Sequence, residues 1–269
     1  MDTTPSPTVR AAGPIGAGRT TVITPLVGSD IDTLREEITR AAATETDMLE
    51  WRADQFRHAR SVKAYADTLH QLTEHIASTG HDLPCCFTYR TIREGGNGSA
   101  TETDYLHLIE TIAGAGADFI DIEYRHPVGP TAIHVAQAEG ALVIASAHDF
   151  TATPEVSAMV SLLADMENAG ADIAKLAVTA TTSLDLAHLF TATSLRHQEA
   201  HIPLITIAMG SLGAASRLVG AAFGSAATFA RVAASSAPGQ LAVDDVVTVL
   251  HLLERAAPTR DDNDDSTEH

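Results

Sequence analysis

The run Asp172-Ile-Ala-Lys-Leu-Ala-Val178 sets one lysine among residues that otherwise read as a buried β-strand. A cation left desolvated and unpaired there costs several kcal/mol, so its presence asks for a reason. Lysine is also scarce: of 17 basic side chains only Lys63 and Lys175 are lysines. Arginine keeps its proton at ordinary pH, whereas a lysine amine can lose its own, and the neutral amine attacks carbonyls. Lys175 is therefore read as present for its nitrogen, a candidate nucleophile toward a carbonyl, rather than for its charge. That chemistry predicts a pKa depressed by apolar neighbours and a nearby cation.

Other polar residues fall at comparable places. Glu50 and Arg52 end an apolar run two apart, and so share one face of a strand; Asp121 and Glu123 do the same. Arg90 and Glu94 follow the run that starts at Pro84, and Ser146 and His148 close the run that starts at Ala141. Arg217 lies after the run ending at Met209, and Ser236 and Gln240 lie in a Pro-Gly loop. Taken singly, each has an ordinary structural alternative. Glu50 and Arg52 suit a rim ion pair, Asp121 and Glu123 suit partners for nearby cations, His148 suits a hydrogen-bonded core histidine, and Lys175 suits a strand lysine paired with a carboxylate. Their shared position at the ends of strands is what points to one site.

The elements that must position them alternate along the chain. Strands are expected at Thr21–Val27, Asp47–Arg52, Pro84–Arg90, Asp118–Tyr124, Ala141–Ser146, Asp172–Val178, Pro203–Met209 and, more weakly, Ala227–Ala233. Helical spacing marks Asp32–Ala43, Tyr105–Ala115, Pro154–Ala169 and Leu184–His197. Ala-Gly-Ala-Asp occurs at 115–118 and again at 169–172, each time closing a helix and opening a strand. Thr153-Pro154 reads as an N-cap followed by a first-turn proline. Eight strands alternating with helices predict a single-domain (β/α)8 TIM barrel, whose active site lies at the C-terminal ends of the strands. An open doubly wound sheet is disfavoured, since Val27-Gly-Ser-Asp after the first strand carries no G-x-G-x-x-G turn.

The formal charge of −18 argues against a nucleic-acid partner, which needs a basic surface. No apolar run reaches membrane-spanning length, and the N-terminus lacks the layout of a signal peptide. The adjacent Cys85 and Cys86 cannot form a disulfide framework and read as small core residues, which fits a reducing cytoplasm. Residues 1–18 read as a disordered N-terminal tail, 19–258 as the barrel and 259–269 as an acidic disordered tail.

The segments FTYRTIREGG, SAHDF with T-x-T-P, DIAKLAV, SRLVGAAFGSAATFA and SAPGQ, spread in order over roughly residues 20–255, closely resemble type I 3-dehydroquinate dehydratase. The resemblance implies a homodimeric barrel that dehydrates 3-dehydroquinate to 3-dehydroshikimate, in the shikimate pathway, through a lysine imine and without metal or organic cofactor. It implies Lys175 as the imine lysine, His148 as general acid/base and Glu94 as the carboxylate that orients the histidine. Glu50, Arg52, Arg90, Arg217, Ser236 and Gln240 become the substrate-binding positions. One departure is Ala147, where the family often has Tyr; alternation along the strand points it away from the side His148 uses. Two rivals remain: a class I aldolase sharing the lysine, and a non-catalytic sensor of quinate-like acids.

Overall fold

The structure, a computed structural model, describes residues 13–59, 61–232 and 239–256. Eight strands alternate with eight α-helices: β1 (Thr21–Leu26), α1 (Ile31–Ala42), β2 (Met48–Arg52), α2 (Val62–Ser78), β3 (Cys85–Thr88), α3 (Glu102–Gly114), β4 (Phe119–Glu123), α4 (Gly129–Ala138), β5 (Leu142–Asp149), α5 (Val156–Asn168), β6 (Ile173–Thr179), α6 (Ser183–His197), β7 (Leu204–Met209), α7 (Gly213–Val219), β8 (Ala227–Phe229) and α8 (Val243–Ala256). All strand pairings are parallel, in the order β7-β6-β5-β4-β3-β2-β1-β8. β8 closes on β1 from Thr21↔Ala227 to Ile23↔Phe229. The β7–β8 seam is thinner, carried by the Ala226 N–H on the Leu204 carbonyl at 2.7 Å and the Thr206 N–H on Ser225 Oγ at 3.1 Å. The chain is thus a nearly closed (β/α)8 barrel, as the alternation predicts.

Period-two alternation explains where the core sits. Outward positions such as Leu49, Trp51, Phe87, Ile120, Ile122, Ala145, Ala147, Ala174 and Leu176 pack in the layer beneath the helices. Inward positions begin apolar and turn polar toward the mouth. Met48, Cys86, Phe119, Ile144, Ile173 and Ile205 fill the floor. Glu50, Thr88, Asp121, Ser146 and Lys175, the next inward residues on their strands, are all buried. Ala147 is fully buried on the outward face, so its small side chain leaves the mouth untouched.

One device recurs at the floor. Asp47, Asp118 and Asp172 each stand just before an even strand and accept a backbone N–H of the preceding odd strand. The donors are Val22 at 2.9 Å, Cys85 at 3.0 Å and Val143 at 3.0 Å. Ser225 Oγ takes the same part before β8. This explains the repeated Ala-Gly-Ala-Asp: Gly116 and Gly170, at φ 85° and 90°, turn the chain from helix to strand, and the aspartate ties the pair of strands together.

Several boundaries differ from expectation. β5 runs on to Asp149, because His148↔Ala177 and Asp149↔Val178 continue the ladder with β6. His148 is therefore in the strand rather than beyond it. Thr153 is not an N-cap: α5 begins at Val156 after Glu155, and Thr153 Oγ1 instead donates to the Thr179 carbonyl at 2.9 Å, tying the β5–α5 loop to β6. Ile15 is fully buried in the floor cluster, so ordered chain begins ahead of residue 19; residues 1–12 and the acidic segment 259–269 lie outside the described residues.

Candidate active site

Lys175 reaches the mouth from the middle of β6 and is 4% exposed. Its Nζ lies 3.0 Å from Asp121 Oδ2 and 3.5 Å from Glu50 Oε1, and 4.6 Å above the centre of the Phe229 ring. Each carboxylate is held from elsewhere. Thr88 Oγ1 donates to Glu50 Oε1 at 3.0 Å, and Ser146 Oγ donates to Asp121 Oδ1 at 2.6 Å. Arg90 donates to Asp121 Oδ1 at 2.7 Å and to Ser146 Oγ at 2.9 Å. Glu123 accepts the Thr91 N–H at 2.6 Å and the Thr91 hydroxyl at 2.7 Å, fixing the chain just past Arg90. Asp121 and Glu123 are thus partners of cations, as one reading of the sequence has it.

The charges set one another. Burial is the largest influence on Lys175 and pushes its pKa down, but Asp121 and Glu50 together outweigh it, with Arg90 opposing them. The net result is a raised pKa, and the expected depression is corrected. Apolar neighbours and a cation are legible locally in a sequence, whereas these two carboxylates come from β2 and β4. Burial pushes Asp121 up, yet Arg90 and Lys175 hold its carboxyl well below the usual range. Asp121 is accordingly a permanent anion, a counter-ion rather than a base.

His148 Nδ1 lies 2.9 Å from Glu94 Oε2. Burial, then Arg90 and Lys175, push the imidazole well below its ordinary value, so it is neutral at pH 7. Burial, reinforced by Glu123 and Asp121 and opposed by Arg90, pushes Glu94 up to about 8. Protonated Glu94 donates to Nδ1 and leaves the ring proton on Nε2; ionised Glu94 accepts Nδ1–H and frees Nε2 as an acceptor. The pair therefore has a base-ready form whose share grows with pH.

This has a consequence for stability. A carboxyl with a raised folded pKa binds more protons folded than unfolded, so its contribution is present at low pH and lost as pH climbs to about 8. His148, lowered, works in the opposite sense below its ordinary 6.5. Above that value only the Glu94 slope remains. Wild type should lose thermal midpoint relative to Glu94→Gln between pH 6.5 and about 8, and parallel curves would refute the raised Glu94.

Glu50, Arg52, Arg90, Glu94, His148, Lys175, Arg217 and Gln240 line one pocket of about 210 Å³, walled by Phe150, Ala177, Ile207, Met209 and Phe229. Arg217 comes from α7, and burial pushes its guanidinium down to about 10, which leaves it charged at pH 7. Arg52 is held by Asp54 through two bonds of 2.8 and 2.9 Å. Every expected site residue within the described chain thus meets at one mouth; Ser236 lies outside the described residues. Among the described residues no cluster of three or more His, Cys, Asp or Glu could hold a metal, and no helix is long and apolar enough to cross a membrane. Sequence reasoning missed Thr88 and Asp54 as parts of the network, and it placed Ser146 at the mouth without its bond to Asp121. Thr88 stands two residues before Arg90, as Ser146 does before His148, so alternation alone carries a signal for it.

Residues 22–257 match the family described as Type I 3-dehydroquinase. The chain belongs to the type I 3-dehydroquinase family. The 3-dehydroquinate dehydratase of Geobacillus thermodenitrificans is 37% identical to this family member over 242 residues, covering 89% of this chain and 93% of the relative. That of Salmonella typhimurium is 36% identical over 247 residues, covering 90% and 96%. Among solved structures, the 3-dehydroquinate dehydratase of Geobacillus kaustophilus superposes with a TM-score of 0.83 at 35% identity, covering 91% and 95% of the two chains. The type I enzyme of Clostridium difficile, solved with covalently modified comenic acid, gives a TM-score of 0.82 at 34% identity, covering 90% and 95%. The barrel is thus that of a family of dehydratases.

Proposed function

We propose that Lys175 carries the reaction as a Schiff-base nucleophile, with His148 moving protons and Glu94 setting its tautomer. As a type I 3-dehydroquinase family member the chain is a lyase of the shikimate pathway that converts 3-dehydroquinate to 3-dehydroshikimate and water. The observation that supports the residue roles is the pairing of a buried amine with two carboxylates beside a neutral imidazole in one pocket.

The chemistry follows from those charges. A β-hydroxy ketone loses water poorly, because the carbanion next to its carbonyl is unstable. An iminium on Lys175 supplies an electron sink for that carbanion. Asp121 and Glu50, which keep the neutral amine scarce, also stabilise the cationic iminium, because the positive charge stays where the ammonium was. His148 Nε2 then takes the proton beside the imine carbon and returns it to the departing hydroxyl. Water releases the product and restores the amine. Arg217 offers a planar fork to the substrate carboxylate. Glu50, Arg52 and Arg90 order its ring hydroxyls, with Gln240 beside them in the pocket. The same reading includes a homodimer in the cytoplasm, to which the free, buried Cys85 and Cys86 are suited.

Adding 3-dehydroquinate to the purified protein should produce the ultraviolet absorbance of a conjugated enone. Retro-aldol products without that absorbance would point to a carbon–carbon lyase instead, and binding without turnover to a sensor.

A further inference from the structure

We propose that Asp54 is a positioning residue, a buried carboxylate that sets the Arg52 guanidinium and the turn bearing Glu94 in one mutual arrangement. The proposal rests on the reading of Arg52 as a substrate-binding residue.

Asp54 sits in the short turn Ala53–Gln55 that follows β2. Its Oδ1 accepts Arg52 Nε at 2.8 Å and its Oδ2 accepts an Arg52 Nη at 2.9 Å, the parallel two-bond geometry that fixes a guanidinium plane. The pair is far from an ordinary surface bridge. Its side chains are 11% and 0% exposed, against 80% and 57% for Lys63–Asp67. Exposed pairs of that second kind contribute little. Asp54 takes only the Nε edge of the fork, which leaves donors of a residue that lines the pocket for another partner.

The same carboxylate reaches a second element. Oδ2 accepts the Asn97 N–H at 3.1 Å, at the tip of the turn that runs from Thr91 to Gly98. That turn folds back on itself: the Gly96 N–H bonds the Thr91 carbonyl at 2.9 Å, and the Gly98 N–H bonds the Arg90 carbonyl at 2.8 Å. A methyl group at Gly96 would lie 2.1 Å from the Arg90 oxygen, so the turn has no slack against the chain that carries Arg90. Glu94 rides on the turn and holds His148. One carboxylate from the end of β2 therefore fixes the register between a substrate-facing cation and the acid/base pair. Without it Arg52 can rotate its fork, and the Asn97 N–H loses an acceptor.

Steady-state kinetics on Arg52→Ala, Asp54→Ala, Asp54→Asn and the Arg52→Ala/Asp54→Ala double variant test this. Losing two charge-assisted bonds to Arg52 should raise KM about tenfold or more in Asp54→Ala, with kcat falling less. Asp54→Asn keeps one oxygen for Nε and should lie between it and wild type. The double variant should lose less kcat/KM than the two single losses combined, because the larger part of Asp54's effect passes through Arg52. What it loses beyond Arg52→Ala should fall on kcat, through the Asn97 contact to the turn bearing Glu94. A wild-type KM in folded Asp54→Ala, or additive losses in the double variant, would overturn the proposal. If Asp54→Ala fails to fold, the Asp54→Asn value decides; if neither folds, Asp54 is a folding residue and the proposal is overturned. Should Arg52→Ala itself keep a wild-type KM, the substrate-binding reading of Arg52 fails first.

Discussion

Borohydride reduction in the presence of 3-dehydroquinate should leave a single covalent adduct on the chain, and peptide mapping should place it on Lys175. The only other lysine side chain, Lys63, stands 80% exposed on α2 and is bound to Asp67. Lys175→Ala should lose turnover down to the background rate. Lys175→Arg should lose it equally while keeping the cation that Asp121 and Glu50 face, because a guanidinium does not form the imine. That second variant matters, since removing the charge outright leaves buried carboxylates short of a partner and can weaken the fold by itself. An adduct on Lys63, or none, would end the Schiff-base assignment.

Removing His148 should stop the reaction at a different point. His148→Ala keeps the amine, so the imine can still form, more slowly if the imidazole also assists carbinolamine breakdown. The proton beside the imine carbon then has no acceptor, and turnover should fall by about 10²–10⁴-fold, the range typical of a general acid/base. Intact mass after mixing with substrate and reduction should show an adduct that still carries the substrate's hydroxyl. Turnover within a few-fold of wild type would remove His148 from the base role. Binding without any adduct would move its main part to imine formation.

What the sequence disclosed depended on how local each signal is. Strand positions followed from short apolar runs set between helix-spaced segments, and the polar residues at the strand ends marked the mouth. The extra length of β5 was not legible, because His148 and Asp149 look like the end of a strand until β6 is set beside them. The sign of the Lys175 shift was misread for the same reason: Asp121 and Glu50 lie 54 and 125 residues away along the chain. Thr153 shows the limit of a local motif, since its hydroxyl found the Thr179 carbonyl instead of the start of a helix. Asp54 gave no sequence signal at all. Its importance depends on Asn97, 43 residues on, arriving beside it.

The floor aspartates bear on how such a barrel can assemble. Their contacts close loops of 25, 33 and 29 residues, and Ser225 closes one of 19. The entropy cost of closing loops grows slowly with length, and contacts of short sequence separation form fast. Each strand–helix–strand quarter can therefore tie its own two strands together at the base with no help from the rest of the chain. The pairing of β1 with β8, Thr21 with Ala227, spans nearly the whole sequence and can come last. Assembly then becomes the docking of four prefastened modules around an axis, and the polar mouth exists only once the ring they form has shut.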